Sequence, residues 1–367
     1  VRAEQFLPFS NFKGIDQQLE NLKRMKKTVC LCVLLISGLA QAQVNKDYLN
    51  ESKEAFAKRM QWFTDAKFGL FIHFGLYSQL GGVWKGNTVQ GYSEWIQGLL
   101  KIPSAEYSKL TETFNPKDFD ADFIVKTAKE AGMKYLVVTS KHHEGFCLWD
   151  SDYTDFDVAS TPFKRDILAE LSAACKKYGI RFGTYYSIID WHHPTQLHLY
   201  ETDIAAPPDS TWRDEYVVYM KNQVRELIEK YDTDILWFDG DWVDWWNNKL
   251  GIDLYNYIRD LKPSIIINNR VAKRELFKKD FGTPEQEHLN KAVDYEWEAC
   301  YTMNDSWGFK QGDNHWKPAQ EIVDKLHAIN SKGGNLLLNV GPDGLGRIPE
   351  PCAVILKQVG ELLKENK

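Results

Sequence analysis

Stretches of helical periodicity alternate with short, wholly apolar runs along most of this chain. Phe123, Ile124, Thr127, Ala128 and Ala131 recur at helical spacing, and Tyr135-Leu136-Val137-Val138-Thr139 follows as a buried strand. The stripe Ile167, Leu168, Leu171, Ala174, Cys175 and Tyr178 stops at Gly179, a residue suited to a left-handed C′ position, before a strand over 182–187. Val217, Met220, Val224, Leu227, Ile228 and Tyr231 lead into Ile235-Leu236-Trp237-Phe238. Leu254, Tyr257, Ile258 and Leu261 lead into 265–267. Pro318 opens a last helix (Ile322, Val323, Leu326, Ile329) before Leu336-Leu337-Leu338, and 68–72 is a further strand. Strand alternating with helix implies parallel pairing. Six strands are clear, 293–297 reads as a seventh, and pattern does not resolve an eighth. A (β/α)8 TIM-like barrel in one domain, 43–367, fits the length. A doubly wound sheet competes less well, because no Gly-x-Gly-x-x-Gly turn follows any strand.

The first residues do not belong to that pattern. Met25-Lys26-Lys27, the apolar run Thr28 to Leu39 and Ala40-Gln41-Ala42 have the order of a signal peptide: basic, apolar, then small-x-small. The segment 25–42 is expected to direct export to the periplasm or outside the cell, and 1–24 reads as an upstream extension foreign to the mature chain. The apolar run is shorter than the roughly 20 residues a bilayer requires, and no other stretch predicts a membrane span. Cys147, Cys175, Cys300 and Cys352 remain downstream, too scattered for a disulfide scaffold. With 45 basic and 51 acidic residues the net charge is −6, which argues against a nucleic-acid partner. The aromatic content is 13%, with 13 Trp, and indole faces suit sugar rings.

In parallel barrels, chemistry gathers at the C-terminal ends of the strands. Here those ends deliver His73, then Lys141-His142-His143-Glu144, Tyr185 and Tyr186, Asp239, and Asn268-Asn269-Arg270. His73 or Arg270 alone is compatible with a purely structural role. Asp190, His192 and His193 share a Pro-containing loop in which an Asx turn is expected. Asp239 is different. It follows four apolar residues between Phe238 and Gly240, where a carboxylate must be hydrogen-bonded or functional. Paired carboxylates, histidines, an arginine and abundant Trp without a metal motif point to glycoside hydrolysis. His-Glu-x-x-His fails, since Cys147 stands four residues after His143.

Five stretches carry a resemblance to the α-L-fucosidases of glycoside hydrolase family 29. They are Lys67 to Gly75 (KFGLFIHFG), Lys141 to Trp149 (KHHEGFCLW), Phe182 to Ser187 (FGTYYS), Leu236 to Gly240 (LWFDG) and Ser331 to Pro342 (SKGGNLLLNVGP). The resemblance implies a catalytic barrel that uses no metal or cofactor and releases terminal α-L-fucosyl residues from fucosylated oligosaccharides or glycoconjugates with retention. It implies Asp239 as nucleophile, and His73, Glu94, Trp95, His142, His143, Tyr185, Trp237 and Arg270 as sugar-binding residues. The acid/base is expected in Asp280 to Glu287, at Glu285 or Glu287. Glu285 is preferred because Pro284 fixes φ before it and because Asp-Phe-x-Thr-x-Glu resembles the family's loop. Many relatives carry a β-sandwich after the barrel, and none is expected in the roughly 25 residues past Pro342. A catalytically inactive sugar-binding barrel, or a metal-dependent hydrolase using His73, His142 and His143, are the alternatives. Oligomeric state is not legible.

Overall fold

Local chemistry starts and stops the helices where the periodicity places them. In the computed structural model, which describes residues 47–365, Ser52 accepts a hydrogen bond from Ala55 N at the start of α1 (Lys53–Ala66). Asp120 and Asp166 do the same for α2 (Ala121–Glu130) and α3 (Ile167–Tyr178), satisfying N–H groups the helix cannot. Gly179 ends α3 at φ 67°, as its position suggested. The remaining long helices are α4 (Thr211–Tyr231), α5 (Asn248–Leu261), α6 (Ala319–Asn330) and α7 (Glu350–Glu365). None of the described helices is long and apolar enough to cross a membrane. The expected extension 1–24 and signal peptide 25–42 lie outside the described residues.

Seven strands form one curled, wholly parallel sheet: β1 (Phe68–Ile72), β2 (Tyr135–Lys141), β3 (Arg181–Ser187), β4 (Ile235–Asp239), β5 (Ile266–Ile267), β6 (Glu298–Thr302) and β7 (Asn335–Val340). Their order is β5-β4-β3-β2-β1-β7-β6. The seventh strand expected over 293–297 instead begins at Glu298. Asp294 is exposed and Glu296 only half-buried, so that stretch cannot enter the sheet, whereas Glu298 can because buried partners hold it.

Between β5 and β6 the segment 281–285 makes only isolated parallel bridges, Asn268 to Phe281, Gly282 to Trp297 and Glu285 to Cys300. Backbone bonds of 2.9 Å from Asn269 N to Phe281 O and from Glu298 N to Gly282 O tie it to both sides.

Alternate residues of each strand face opposite ways. Leu70 and Ile72 pack with Ile124, Val125 and Ala128 of α2 in the layer between sheet and helices. Phe71, Val137, Tyr185, Ile235, Trp237 and Leu337 form a second cluster on the concave side, joined by Met60 and Phe63 of α1. Because that inner layer is filled with large rings, the sheet is a packed support for the groups at its strand ends. Cys147, Cys175, Cys300 and Cys352 are buried free thiols.

Candidate active site

The strand ends converge on one cavity of about 160 Å³, the scale of one sugar ring. Of the ten residues singled out from the sequence, nine line it: His73, Glu94, Trp95, His142, Tyr185, Trp237, Asp239, Arg270 and Glu285. His143 is not among the lining residues but borders the cavity beside Asp239. Its Nδ1 lies 2.6 Å from Ser187 Oγ, its Nε2 is 3.9 Å from Asp239 Oδ2, and Trp95 packs on its edge at 4.8 Å. The pairing of β2 with β3 shifts register between Thr139 and Lys141, just before the two histidines. His142 lies flat against Tyr185, with centroids 5.4 Å apart.

Asp239 ends β4 at the centre of this arrangement. Its Oδ1 accepts from Arg270 Nη1 at 2.7 Å and from Arg274 Nη2 at 3.5 Å, and its Oδ2 accepts from Tyr185 OH at 3.2 Å. Burial favours the neutral acid, but Arg270, His143 and Arg274 together outweigh it, so the carboxyl is held below its ordinary range. The next residue, Gly240, takes φ 91°, and a Cβ there would sit 2.9 Å from Ile189. Only glycine turns the chain so sharply at this point.

Arg270 serves two carboxylates. Nη1 holds Asp239, and Nη2 donates to Glu285 Oε2 at 3.0 Å. Nε donates to Thr283 Oγ1 at 2.8 Å, and the guanidinium lies 4.5 Å over the Trp237 ring. Asp239 and Glu285 therefore face each other across one planar cation. Glu285 is the exposed member of the pair, its side chain 38% accessible. Glu287 is also exposed but does not line the cavity.

The opposite wall comes from the loop after β1. Glu94 is buried and accepts from Gly308 N at 2.8 Å through Oε2, while Oε1 has no partner. Burial raises its pKa to about 7. His73 is fixed through Nδ1, 2.7 Å from Asn339 Oδ1, and burial lowers its pKa to about 3, so the ring is neutral. His142 Nδ1 and His143 Nε2 are also buried without a partner in the protein. Burial likewise keeps both rings neutral, His143 with a pKa of about 4.

Several contributors escaped the sequence reading. Arg274 stands four residues after Arg270, a spacing that offered a signal, and Asp241 orients it through Nε at 2.9 Å. Glu298 receives Trp237 Nε1 at 3.0 Å and the Tyr135 hydroxyl, and burial raises its pKa to about 7. Tyr92, Phe71, Cys300 and Trp307 also line the cavity. Lys141 and Asp190 form a fully buried pair at 2.7 Å beside the site, and Asp190 accepts the backbone N–H groups of His192 and His193, making the expected Asx turn. Among the described residues, the metal-capable group whose donor atoms converge within 4.8 Å is Asp305, Asp313 and His315, not the three histidines of the cavity.

Two carboxylates joined across an arginine, at the strand ends of a parallel α/β sheet and above a ring-sized cavity, define the site of a glycoside hydrolase. The alpha-L-fucosidase family profile matches residues 35–367, and the chain belongs to that family. It is 30% identical to the alpha-L-fucosidase of Dictyostelium discoideum, covering 93% of this chain and 77% of that one. It is 31% identical to the human plasma alpha-L-fucosidase, covering 83% and 68%. Among solved structures, alpha-L-fucosidase AlfC from Lactobacillus casei in complex with α-L-fucose product superposes with a TM-score of 0.76 at 35% identity, covering 84% of this chain and 99% of that one. A trapped covalent intermediate of the Bacteroides thetaiotaomicron alpha-L-fucosidase superposes with a TM-score of 0.77 at 33% identity, covering 84% and 74%.

Proposed function

We propose that this α-L-fucosidase removes terminal α-L-fucosyl residues from glycans by double displacement with retention. The observation that carries this reading is the sharing of Arg270 between a buried, ionised Asp239 and an accessible Glu285. Asp239 attacks the anomeric carbon while Glu285 protonates the departing oxygen. Water, deprotonated by Glu285, then attacks the same carbon and frees Asp239. Retention needs the two carboxyl groups roughly 5–5.5 Å apart and inversion about 6.5–9.5 Å, and the trapped covalent intermediate of the Bacteroides thetaiotaomicron relative supports retention. Glu94, His73, His142 and His143 supply buried polar atoms for the sugar hydroxyls. Trp237, Phe71 and Trp307 supply apolar surface for the ring and its methyl group.

In this reading the segment 281–285 occupies the position of an eighth strand and completes a (β/α)8 barrel. The basic, apolar and Ala-x-Ala order of 25–42 supports export of the chain. Proton NMR of the first-formed sugar tests the mechanism: α-L-fucose is expected, and initial β-fucose overturns it.

A further inference from the structure

A neutral imidazole carries one proton, on Nδ1 or on Nε2, and the choice decides whether the nitrogen turned toward a ligand donates or accepts. For two of the histidines at the cavity, the atoms packed behind the ring leave one choice.

The buried Asn339 amide lies between His73 and the backbone of Trp307. A carbonyl oxygen only accepts, so the amide nitrogen must face it, and Nδ2 donates to Trp307 O at 2.7 Å. The amide oxygen is what is left for His73, with Oδ1 2.7 Å from Nδ1. Turning the amide over would press two bare oxygens together at hydrogen-bond distance. Oδ1 carries no hydrogen, so the ring's single proton sits on Nδ1, and Nε2 keeps a lone pair on a side chain that lines the cavity.

Ser187, at the end of β3, does the same for His143. Its Oγ is 2.6 Å from Ile189 O and 2.6 Å from His143 Nδ1. Two oxygens so close need a hydrogen between them, and the hydroxyl has only one to give. That hydrogen goes to Ile189 O, so His143 Nδ1 is the donor to Oγ. His143 Nε2 is then a bare acceptor, buried without a protein partner and 3.9 Å from Asp239 Oδ2. A buried acceptor left unmet is costly, and a ligand that brings a donor relieves it.

We propose that Asn339 and Ser187 are positioning residues that fix His73 and His143 as hydrogen-bond acceptors, so that the cavity selects a sugar offering an O–H donor to each. A ligand presenting only an acceptor there, such as fluorine or a carbonyl, is rejected. The selection of a sugar rests on the assignment of the cavity to fucose; the proton positions do not.

The test reads the protons directly. In long-range proton–nitrogen NMR spectra of the free enzyme labelled with 15N-histidine, at neutral pH, signals missing from His73→Gln and from His143→Gln identify the two rings. Each ring is expected to show a protonated, pyrrole-like Nδ1 and a bare, pyridine-like Nε2. A protonated Nε2 in either ring overturns the proposal. Asn339→Ala should shift only His73, and Ser187→Ala only His143, toward the Nε2–H form. A ring that keeps its tautomer in the matching variant overturns the positioning role of its neighbour. Binding supplies the second arm, read as competitive inhibition of α-L-fucosyl fluoride hydrolysis by L-fucose and its monodeoxyfluoro analogues. Fluorine in place of a hydroxyl that donates to either ring should weaken binding at least tenfold. That loss should shrink in the matching variant, whose Nε2–H faces the fluorine. If every analogue binds as tightly as L-fucose, the acceptor role is overturned. An enzyme inert toward the fluoride would overturn the fucosidase assignment instead, while the spectra of the free enzyme still decide the tautomers.

Discussion

At the scale of single residues, Asp239 bears the heaviest demand, since its carboxylate has to be both buried and ionised. Asp239→Gly is expected to fold and to lose several orders of magnitude in kcat, because it removes the buried, ionised carboxylate that attacks the sugar. Added azide should restore turnover by entering the vacated space, giving β-L-fucosyl azide as the leaving group departs. A mutant keeping more than a few per cent of wild-type turnover would refute the role. Glu285→Ala is expected to cripple hydrolysis of disaccharides while sparing fucosyl fluoride, whose leaving group needs little protonation. Azide should accelerate it by attacking the glycosyl-enzyme, with α-L-fucosyl azide as product. If Glu287→Ala shows this pattern and Glu285→Ala does not, the acid/base is Glu287. Most of these residues were legible because each ends an apolar run with a polar group. Arg274 and Glu298 were not, since their meaning lies in partners: Asp241 sits 33 residues from Arg274, and Tyr135 sits 163 residues from Glu298.

At the scale of elements, the end of β2 and the loop after β3 are locked together by one ion pair. Lys141 Nζ reaches Asp190 Oδ2 and the Tyr216 hydroxyl, with the Tyr186 ring 4.4 Å away, and Trp191 N of the loop donates to His143 O, just past the end of β2, at 2.8 Å. Gly145, at φ 83°, leaves room for this pair, since a Cβ there would lie 2.3 Å from Asp190 Oδ1. Asp190→Ala leaves a buried ammonium without its counter-ion and is expected to cost about 3–5 kcal/mol of stability, measured by urea denaturation. Replacing both partners with Met and Leu should cost far less. If the single and double changes cost the same, the pair is not what holds the loop. The helices and the strands β1 to β4 were legible because wholly apolar runs leave a chain few alternatives. The strand β6 was missed because Glu298 at its first position reads as a surface residue until Trp237 and Tyr135 are seen to enclose it.

For the whole molecule, burial of ionisable groups sets how stability follows pH. Burial raises Glu94, Glu144 and Glu298 from 4.5 to about 7, so their contribution is complete below pH 4.5 and is lost as pH rises toward 7. Burial lowers His73 from 6.5 to about 3 and His143 to about 4, and lowers His142 as well, so their contribution is lost as pH falls below 6.5. Between pH 4.5 and 6.5 the two sets oppose each other. Urea midpoints are expected to stay nearly level there and to fall below pH 4.5, where the histidines and the lowered acids still respond, among them Asp239 and also Glu51 and Asp190, both lowered to about 2. In Glu298→Gln the same window should tilt, with stability rising toward pH 6.5; a slope identical to wild type would refute the assignment. The isolated bridges of 281–285 carry a different consequence. Asp239 belongs to a strand paired on both sides, whereas Glu285 hangs on the least continuous seam of the sheet. Amide protons along 281–286 should exchange with deuterium well before those of β2 to β4. On slow heating, catalysis of disaccharide cleavage should fade several degrees before ellipticity does, because the seam opens while the rest of the sheet still holds.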